Sequence, residues 1–398
     1  MPDSLFAFLD GRLAGRFDRT GEESATFTYA EGHPNVPLSL SLPFAEAIEP
    51  EVAFAYLDNL LPEDDETRAR LAATASVTTD TFSMLAVLGE DVAGAVSLSS
   101  SPDLPRRAEV PLLEASEDDI AYRIATLRRD PQAPPPAGVI QRWSLAGQQA
   151  KFSLARIGDR WFWATYEHPS THIFKPAAAR FADADLAEKA CLDLALEAGI
   201  PASRSEVVEF RGQRAFAVER WDRADAIRLH AEDLTQALGQ PPYEKYSVSA
   251  QDVMKLLEPH GQVWPFVRQL AFNTAVGNSD AHGKNYSVLL FTEGVVRLAP
   301  LYDSLPVFLW PKVDQRHAMD IGGSFLREET TEASWVTLAQ RAQVDPGRLL
   351  DEVRPVFRHV GERLPDVLRE TGLPASATDA AAEHVRRLPG MVGRQAAG

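Results

Sequence analysis

Residues 277–287 read GNSDAHGKNYS, and this stretch decides the fold of the chain. Within it Asp280 stands five residues before Asn285, and a further acid, Asp303, follows after two strand-like segments. An Asp and an Asn at this spacing are typical of the catalytic loop of phosphoryl-transfer enzymes. The same letters also fit an ordinary polar loop between a helix and a strand, so the flanking sequence has to decide between the two interpretations.

The flanking segments favour the catalytic interpretation. Residues 263–271 carry apolar side chains at helical spacing, which predicts an apolar helix before the loop. Residues 286–291 and 295–298 are apolar and surround a Thr-Glu-Gly turn, which predicts a hairpin after it. The hairpin would place Asn285 and the segment before Asp303 on adjacent strands about 5 Å apart.

Phosphoryl transfer explains why these residue types are needed. The attacking hydroxyl needs a carboxylate that orients it and takes its proton, and the triphosphate needs Mg²⁺ held by hard oxygen ligands. Asp280 suits the first task, whereas Asn285 and Asp303 suit the second. The stretch therefore predicts an ATP- and Mg²⁺-dependent enzyme with Asp280 as its catalytic base.

Composition sets the class of protein. The chain has 398 residues, 45% hydrophobic and 24% charged, which predicts a globular protein of two or three domains. No apolar run approaches the ~20 residues needed to cross a bilayer, and the N-terminus has no basic leader, so a cytoplasmic protein without membrane contact is expected. A net charge of −17 implies that any DNA contact requires a basic partner. The single cysteine, Cys191, is expected to pack in a helix.

Other segments have both a functional and an ordinary interpretation. The turn around Gly147 offers backbone N–H groups to phosphates or is simply a hairpin turn. Lys175 ends a predicted strand over 171–176, where a kinase keeps the lysine that grips the phosphates; a surface lysine at a sheet edge is the alternative. Glu188, on the next predicted helix, is either the partner of that lysine or a solvated helix residue.

Three further local predictions concern structure. Residues 37–43, PLSLSLP, alternate as a half-buried strand does. The acids that follow Pro62 are expected to occupy the first turn of a helix, with Pro62 at an early helical position. This interpretation is preferred to a metal site formed by the same acids. The tail from Ser334 onward is expected to alternate helices with proline-containing breaks.

Several motifs together resemble the HipA-family serine/threonine kinases, the toxins of HipBA-type toxin–antitoxin modules. The resemblance runs over nearly the whole chain and is specific because the motifs occur in one order. The N-terminal motifs are PLSLSLP (37–43), LDNLLP (57–62) and LGEDVAGAV (88–96). The later motifs are SLAGQQAK (144–151), VERWDR (218–223), the 277–287 stretch and LAPLYD (298–303).

The resemblance implies a role for each matching residue. It gives Asp280 as the base and Asn285 and Asp303 as Mg²⁺ ligands. The implied ATP contacts are Lys151, Lys175, His282 and, at the hinge, Glu232 and Leu234. Ser144 matches the family's autophosphorylated serine, and a phosphate there would add roughly −1.5 to −2 charge, which is expected to repel ATP.

The resemblance also implies the architecture. The expected fold is α+β, a two-lobed protein-kinase-like fold with an N-terminal subdomain and a mainly helical C-terminal lobe. The predicted domains are 1–129 for the N-terminal subdomain, 130–142 for a Pro-rich linker, 143–240 for the small lobe and 241–398 for the large lobe. The chain departs from the family pattern at Gln149 and Ala150, where Gln-Glu is usual, and at Ser324, where many relatives have Lys.

Three functions from different classes remain open at this point. The first is a protein kinase that acts on a translation component such as an aminoacyl-tRNA synthetase, is neutralised by a HipB-like helix-turn-helix antitoxin, and meets DNA only through that antitoxin. The second is a non-catalytic, antitoxin-binding co-repressor that keeps the kinase fold. The third is a small-molecule kinase, against which the lack of a membrane-binding basic patch argues. The intact set of Asp280, Asn285, Asp303 and Lys175 favours the first.

Overall fold

The computed structural model describes residues 2–90, 92–103, 111–131, 133–134, 136, 150–165, 167–177, 181–224 and 227–388. The strands are β1 (Ser4–Leu9), β2 (Arg12–Arg19), β3 (Ala25–Tyr29), β4 (Val96–Ser99), β5 (Phe152–Ile157), β6 (Arg160–Trp163), β7 (His172–Lys175), β8 (Ser205–Phe210), β9 (Gln213–Glu219), β10 (Arg223–Ala224), β11 (Ile227–Arg228), β12 (Ala231–Asp233), β13 (Ser287–Leu290) and β14 (Val296–Leu298). The helices are α1 (Pro50–Asp58), α2 (Asp65–Ala75), α3 (Thr81–Leu88), α4 (Glu117–Arg129), α5 (Ala184–Glu197), α6 (Leu234–Ala237), α7 (Ala250–Leu257), α8 (Val263–Val276), α9 (Glu332–Arg341), α10 (Pro346–Glu370) and α11 (Ala375–Arg386).

The chain forms two compact units. The first unit comprises Met1–Pro176, Val208–Lys245 and Val288–Val296. The second unit comprises Ala177–Val207, Tyr246–Ser287 and Arg297–Gly398. The mixture of sheets and helices confirms the predicted α+β class.

The first unit contains an antiparallel sheet in the order β3-β2-β1-β4. Leu5 and Ala7 of β1 lie on one face of the sheet, because side chains of a strand point to opposite faces in turn, and both are buried. Leu5 pairs with Phe17 in this register, and the Phe17 ring stacks on Tyr56 of α1 at a centroid distance of 5.9 Å. The core formed by this sheet, α1 and α3 is therefore built from the first hundred residues alone.

A second sheet of the first unit has the order β6-β5-β7-β9-β8. Phe152 of β5 and Phe174 of β7 are paired residues, and their rings stack at a centroid distance of 5.0 Å. Because β7 lies at the centre of five strands, its last residue, Lys175, is carried by the most enclosed strand of the sheet. The interpretation of Lys175 as a surface lysine at a sheet edge is wrong.

The VERWDR motif forms a buried ion cluster in the first unit. Asp222 accepts hydrogen bonds from Arg220 Nε at 2.9 Å and from Arg223 Nη1 at 2.8 Å. The backbone N–H of Gly94 donates to the same carboxylate at 3.0 Å. Gly94 has φ +73°, and a Cβ there would lie 2.7 Å from the backbone of Ala231, so the close approach requires glycine. The cluster ties the LGEDVAGAV motif to the segment after β9.

The predicted strand over residues 37–43 is wrong. This segment is a loop with one isolated bridge, between Ser39 and Leu42. The Tyr29 hydroxyl accepts from Leu38 N at 2.9 Å and donates to Leu42 O at 2.5 Å, so the backbone groups that a strand would pair are bound by a side chain instead. Leu38 and Leu42, near the two ends of the loop, are both buried in the core of the first hundred residues.

The acids after Pro62 lie at the beginning of α2, as predicted. Asp64 is the N-cap residue and accepts from Thr67 N at 2.7 Å, while Asp65 and Glu66 occupy the first turn. Pro62 itself precedes the helix, so its predicted helical position is wrong. The described residues contain no group of three or more His, Cys, Asp or Glu side chains arranged to hold a metal ion.

Helix α10 is the centre of the second unit. It packs against α5, α8, α9 and α11 and buries one face along its 25 residues. Pro355 and Pro365 lie inside this helix, so the predicted proline breaks are wrong at these two positions. A proline inside a helix costs about 3 kcal/mol, and here the packing of the buried face offsets it. Within the described residues, no helix is both long and apolar enough to cross a membrane.

Candidate active site

Helix α8 leads directly into the loop that carries Asp280. The helix ends at Val276, and Gly277 takes φ +75°, the left-handed conformation that commonly ends a helix. Asn278 N donates to Asn273 O at 2.8 Å, and Asn278 Nδ2 donates to the side-chain oxygen of Asn273 at 3.1 Å. The start of the loop is thereby fixed to the last turns of a buried helix.

The side chain of Asn285 closes the loop on Asp280. Asn285 Nδ2 donates to the main-chain oxygen of Asp280 at 2.9 Å, and His282 N donates to the same oxygen at 2.8 Å. Asn285 N also donates to His282 O at 2.9 Å. Because the amide nitrogen of Asn285 serves the loop, its amide oxygen is the atom with the chemistry of a Mg²⁺ ligand.

Asn278 brings Asp303 to the same loop. Asn278 Nδ2 donates to Asp303 O at 3.2 Å, and the next residue, Ser304, donates through Oγ to Asn273 Oδ1 at 2.8 Å. Asp303 has φ +53°, a left-handed conformation that is rare for residues other than glycine and is found where surrounding contacts impose it. The loop and the residue after the hairpin therefore belong to one hydrogen-bonded neighbourhood of the second unit.

The hairpin predicted between these residues is confirmed. Strands β13 and β14 are neighbours, and Ala299 N donates to Ser287 O at 2.8 Å. The Tyr302 hydroxyl then donates to Lys284 O at 2.8 Å. This second contact joins the residue before Asp303 to the residue before Asn285, so the backbone segments that carry the two proposed Mg²⁺ ligands are bonded to each other.

Three residues of this neighbourhood were not predicted from sequence. Asn273 and Asn278 make the hydrogen bonds that connect the end of α8, the loop and the segment of Asp303. Tyr246 donates through its hydroxyl to Asp280 Oδ1 at 2.6 Å. Asn273 carries a detectable signal, since it is a polar residue among apolar ones on a helix and is 2% exposed. Tyr246 carries none, because it lies 34 residues before Asp280 in an unrelated segment.

The donor set of the second unit fits a magnesium ion that is shared with phosphates. Asn285 offers an amide oxygen and Asp303 a carboxylate, which are the hard oxygen ligands that Mg²⁺ takes from proteins. Mg²⁺ in nucleotide sites is held by one or two protein side chains, with water and phosphate oxygens completing the octahedron. The two side chains of this framework are therefore enough protein ligands for a Mg²⁺ ion whose other ligands are water and phosphate oxygens.

The predicted phosphate lysines lie in the first unit. Lys175 is 8% exposed, and its Nζ lies 5.7 Å from the centre of the Phe216 ring on β9. Lysine is almost never this buried unless its charge has a partner. Lys151 is half-buried and directly precedes β5. Their contacts with ATP stay predictions.

The side chains of the two predicted hinge residues are buried and cannot reach a ligand at the surface. Leu234 and Glu232 are both buried. The Glu232 carboxyl accepts from Leu40 N at 2.8 Å and is bonded to the Ser39 hydroxyl, both in the PLSLSLP loop. Any adenine contact here would have to use the main chain, and the Glu232 side chain instead binds the N-terminal loop to β12.

Two predicted residues lie outside the described residues, namely Gly147 and the proposed autophosphorylation site Ser144. Glu188 lies on α5 and is 2% exposed, so its interpretation as a solvated helix residue is wrong. Its pairing with Lys175 stays a prediction. The domain boundaries at residues 129, 142 and 240 likewise stay predictions.

The buried Glu232 gives a testable pH dependence. Burial raises the pKa of Glu232 to about 8, against the hydrogen bonds from Ser39 and Leu40, which lower it. A carboxyl whose pKa is higher in the folded than in the unfolded chain stabilises the fold fully below its unfolded pKa. The contribution is then lost as the pH rises from about 4.5 through about 8. In urea unfolding, we expect the transition midpoint of wild type to fall across this window, by at most the equivalent of about 1.4 kcal/mol per pH unit, and the midpoint of Glu232→Gln to fall much less.

The matched control is Glu209→Gln, which changes an exposed glutamate of the same unit. It should keep the pH slope of wild type. If Glu232→Gln kept that slope as well, the Glu232 carboxyl would be ionised in the fold.

Comparison with known proteins gives a consistent result. A family model described as the HipA-like C-terminal domain matches residues 143–367, and one described as the HipA N-terminal domain matches residues 5–99. Y4mE of Sinorhizobium fredii, which carries a kinase name, is 32% identical over 388 residues, covering 92% of each chain. The serine/threonine-protein kinase toxin HipA of Shewanella oneidensis is 27% identical over 344 residues, covering 78% of this chain and 76% of that protein.

A solved structure is similar over nearly the whole chain. It is a chain of the complex of HipA, HipB and operator DNA from Shewanella oneidensis MR-1. The TM-score is 0.79 at 23% identity, with 96% of this chain and 95% of that chain covered. At this level of identity the match establishes the fold.

Proposed function

This chain belongs to the HipA family of kinases, and from that membership we propose that it is an ATP- and Mg²⁺-dependent protein serine/threonine kinase. The observation that supports the proposal most directly is the hydrogen-bonded framework of the second unit. Asn285 donates to Asp280, and Asn278 donates to Asp303, so the proposed base and the two proposed Mg²⁺ ligands share one hydrogen-bonded framework. A co-repressor without catalytic activity would not need this arrangement.

The proposed mechanism assigns a task to each residue. Bound ATP would supply its γ-phosphoryl group to the attacking hydroxyl and leave as ADP, and Mg²⁺ would neutralise the charge of the phosphates. Asp280 accepts the proton of the attacking hydroxyl through its carboxylate and orients that hydroxyl. Asn285 and Asp303 would hold the metal through their side-chain oxygens. Lys175 would bind the phosphates, and Lys151, Gly147 and His282 would add contacts to the nucleotide.

The metal ligand Asp303 provides the test of this proposal. We expect Asp303→Asn to lower Mg²⁺-dependent transfer from labelled ATP roughly a hundredfold or more, because charge stabilisation by the metal contributes several kcal/mol. The measurement is incorporation of label into protein with Mg²⁺ and with EDTA. Asp351→Asn, which changes an exposed acid of the same unit, is the matched control and should behave as wild type.

The outcomes separate the candidate functions. Label incorporated equally by wild type and by Asp303→Asn would contradict the assignment of Asp303 as a ligand. No incorporation by wild type in the presence of a cellular extract would support the non-catalytic co-repressor instead. Mapping of the labelled peptide tests the proposal that Ser144 is the autophosphorylated residue.

We further propose that the targets include a translation component such as an aminoacyl-tRNA synthetase and that a HipB-like helix-turn-helix antitoxin neutralises the kinase. The complex solved for the Shewanella relative contains HipB and operator DNA, which supports a partner of this kind. The net charge of −17 supports DNA contact only through that partner. Phosphoprotein mass spectrometry after expression would identify the target, and co-purification would identify the antitoxin.

A further inference from the structure

The carboxylate of Asp280 has a hydrogen-bond donor in Tyr246. The Tyr246 hydroxyl donates to Asp280 Oδ1 at 2.6 Å, although Tyr246 is 54% exposed. A bond of this length from a hydroxyl to a carboxylate is in the range of charge-assisted hydrogen bonds. An exposed tyrosine that points its polar end at a candidate base needs an explanation beyond packing.

The ring of Tyr246 is held by the same loop that it serves. It meets the ring of His282 edge to face, with the centroids 5.0 Å apart at 90°. His282 is buried, and its backbone N–H donates to the Asp280 main-chain oxygen at 2.8 Å. His282, which contacts the Tyr246 ring, and the backbone of Asp280 therefore belong to one hydrogen-bonded turn.

The backbone of Asp280 is fixed, but its side chain has to be fixed separately. The hydrogen bonds from Asn285 Nδ2 and His282 N go to the main-chain oxygen of Asp280, and the residue itself is exposed. A general base has to lie within hydrogen-bond reach of the proton it takes, and small misplacements of catalytic groups reduce rates strongly. A donor on Oδ1 restricts rotation of the carboxylate. One such bond does not use all the acceptor positions of the Asp280 carboxylate, because a carboxylate has about four lone-pair sites.

We propose that Tyr246 is a positioning residue that holds the Asp280 carboxylate in the orientation required for proton transfer. The inference rests on the proposed kinase function, because it assigns Tyr246 a part in that reaction. It gives His282 a second task, which is to support the Tyr246 ring.

The kinetic test compares Tyr246→Phe with wild type and with Tyr243→Phe. The phenylalanine keeps the ring and removes only the hydroxyl, and Tyr243 is a nearby tyrosine that is 72% exposed. Since a hydrogen bond to a charged group is lost, kcat of Tyr246→Phe should fall about tenfold, whereas the KM for ATP and both constants of Tyr243→Phe should stay at wild-type values. A kcat for Tyr246→Phe equal to or above that of wild type would overturn the proposal, and an increase would indicate that the hydroxyl obstructs the base.

A spectroscopic test detects the contact without relying on activity. With 3-fluorotyrosine placed at position 246, the ¹⁹F signal reports the pH at which the phenol ionises. Asp280→Ala should lower that pH, because it removes the acceptor and its negative charge, and the same label at position 243 should titrate equally with and without the substitution. An unchanged titration at position 246 would overturn the proposal. A clear shift together with no phosphotransfer by wild type would refute the kinase function and with it the role of Tyr246, while leaving the contact established.

Discussion

Asp280→Asn is expected to lower phosphotransfer about a hundred- to ten-thousandfold, the range that general base catalysis contributes. The substitution removes the proton acceptor and changes the shape of the side chain very little. The bonds that close the loop use the main-chain oxygen of Asp280, which the substitution leaves in place. The loss should therefore appear in kcat, with the thermal unfolding profile and the affinity for ATP near those of wild type.

Single-turnover phosphorylation measures this effect directly. Asp351→Asn in the same unit serves as the control and should keep wild-type rates. A rate for Asp280→Asn within threefold of wild type would contradict the assignment of Asp280 as the base. Loss of ATP affinity with an unchanged single-turnover rate at saturating ATP would instead make Asp280 a ligand of the nucleotide or its metal.

The second large effect is expected in stability, for Asp222→Ala. Burial alone would raise the pKa of Asp222, but the charges of Arg220 and Arg223 outweigh it and hold the pKa well below its usual range. Removing the carboxylate leaves two buried guanidinium groups without this partner, together with the N–H of Gly94. Breaking a buried ion pair by removing one member destabilises by about 3–5 kcal/mol.

Urea unfolding followed by tryptophan fluorescence measures this destabilisation. Because the chain has two compact units, the comparison is between transition midpoints and not between extrapolated free energies. Asp118→Ala removes one of the two exposed acidic partners of Arg211 in the same unit and is expected to change stability by less than about 1 kcal/mol. Midpoints shifted equally by the two substitutions would contradict a structural role for the VERWDR motif.

The pH dependence of Asp222 has the opposite sign to that of Glu232. A carboxyl with a depressed pKa stabilises the fold fully above its unfolded value of about 3.8, and this contribution is lost as the pH falls toward the lowered pKa. Wild type should therefore lose stability below about pH 4 in part through Asp222. Asp222→Ala should lose less over the same range.

The local sequence pattern predicted the helix and the hairpin on either side of the site, because the residues that determine such elements lie close together in the sequence. The apolar spacing of residues 263–271 predicted the N-terminal part of α8, and the Thr-Glu-Gly turn predicted the hairpin after the loop. Within one such segment, neighbours along the chain decide the structure. The fold class followed from the order of the motifs, which the solved relative confirms.

Contacts between distant segments could not be predicted in this way. Residues 37–43 alternate like a strand, yet Tyr29 and Glu232 bind their backbone, and Glu232 lies 192 positions after Leu40. Pro355 has a helix-breaking signal that packing of the long helix α10 overrides. The hydrogen bond from Tyr246 to Asp280 likewise exists only in three dimensions.

A crystal structure with a non-hydrolysable ATP analogue and Mn²⁺ in place of Mg²⁺ tests the central claim most directly. The anomalous signal of Mn²⁺ locates the ion independently of the refined coordinates. The framework around Asn278 predicts one strong peak within coordination distance of both the Asn285 amide oxygen and the Asp303 carboxylate, next to the phosphates of the analogue. A bound analogue whose metal peak lies away from these two side chains would contradict the account.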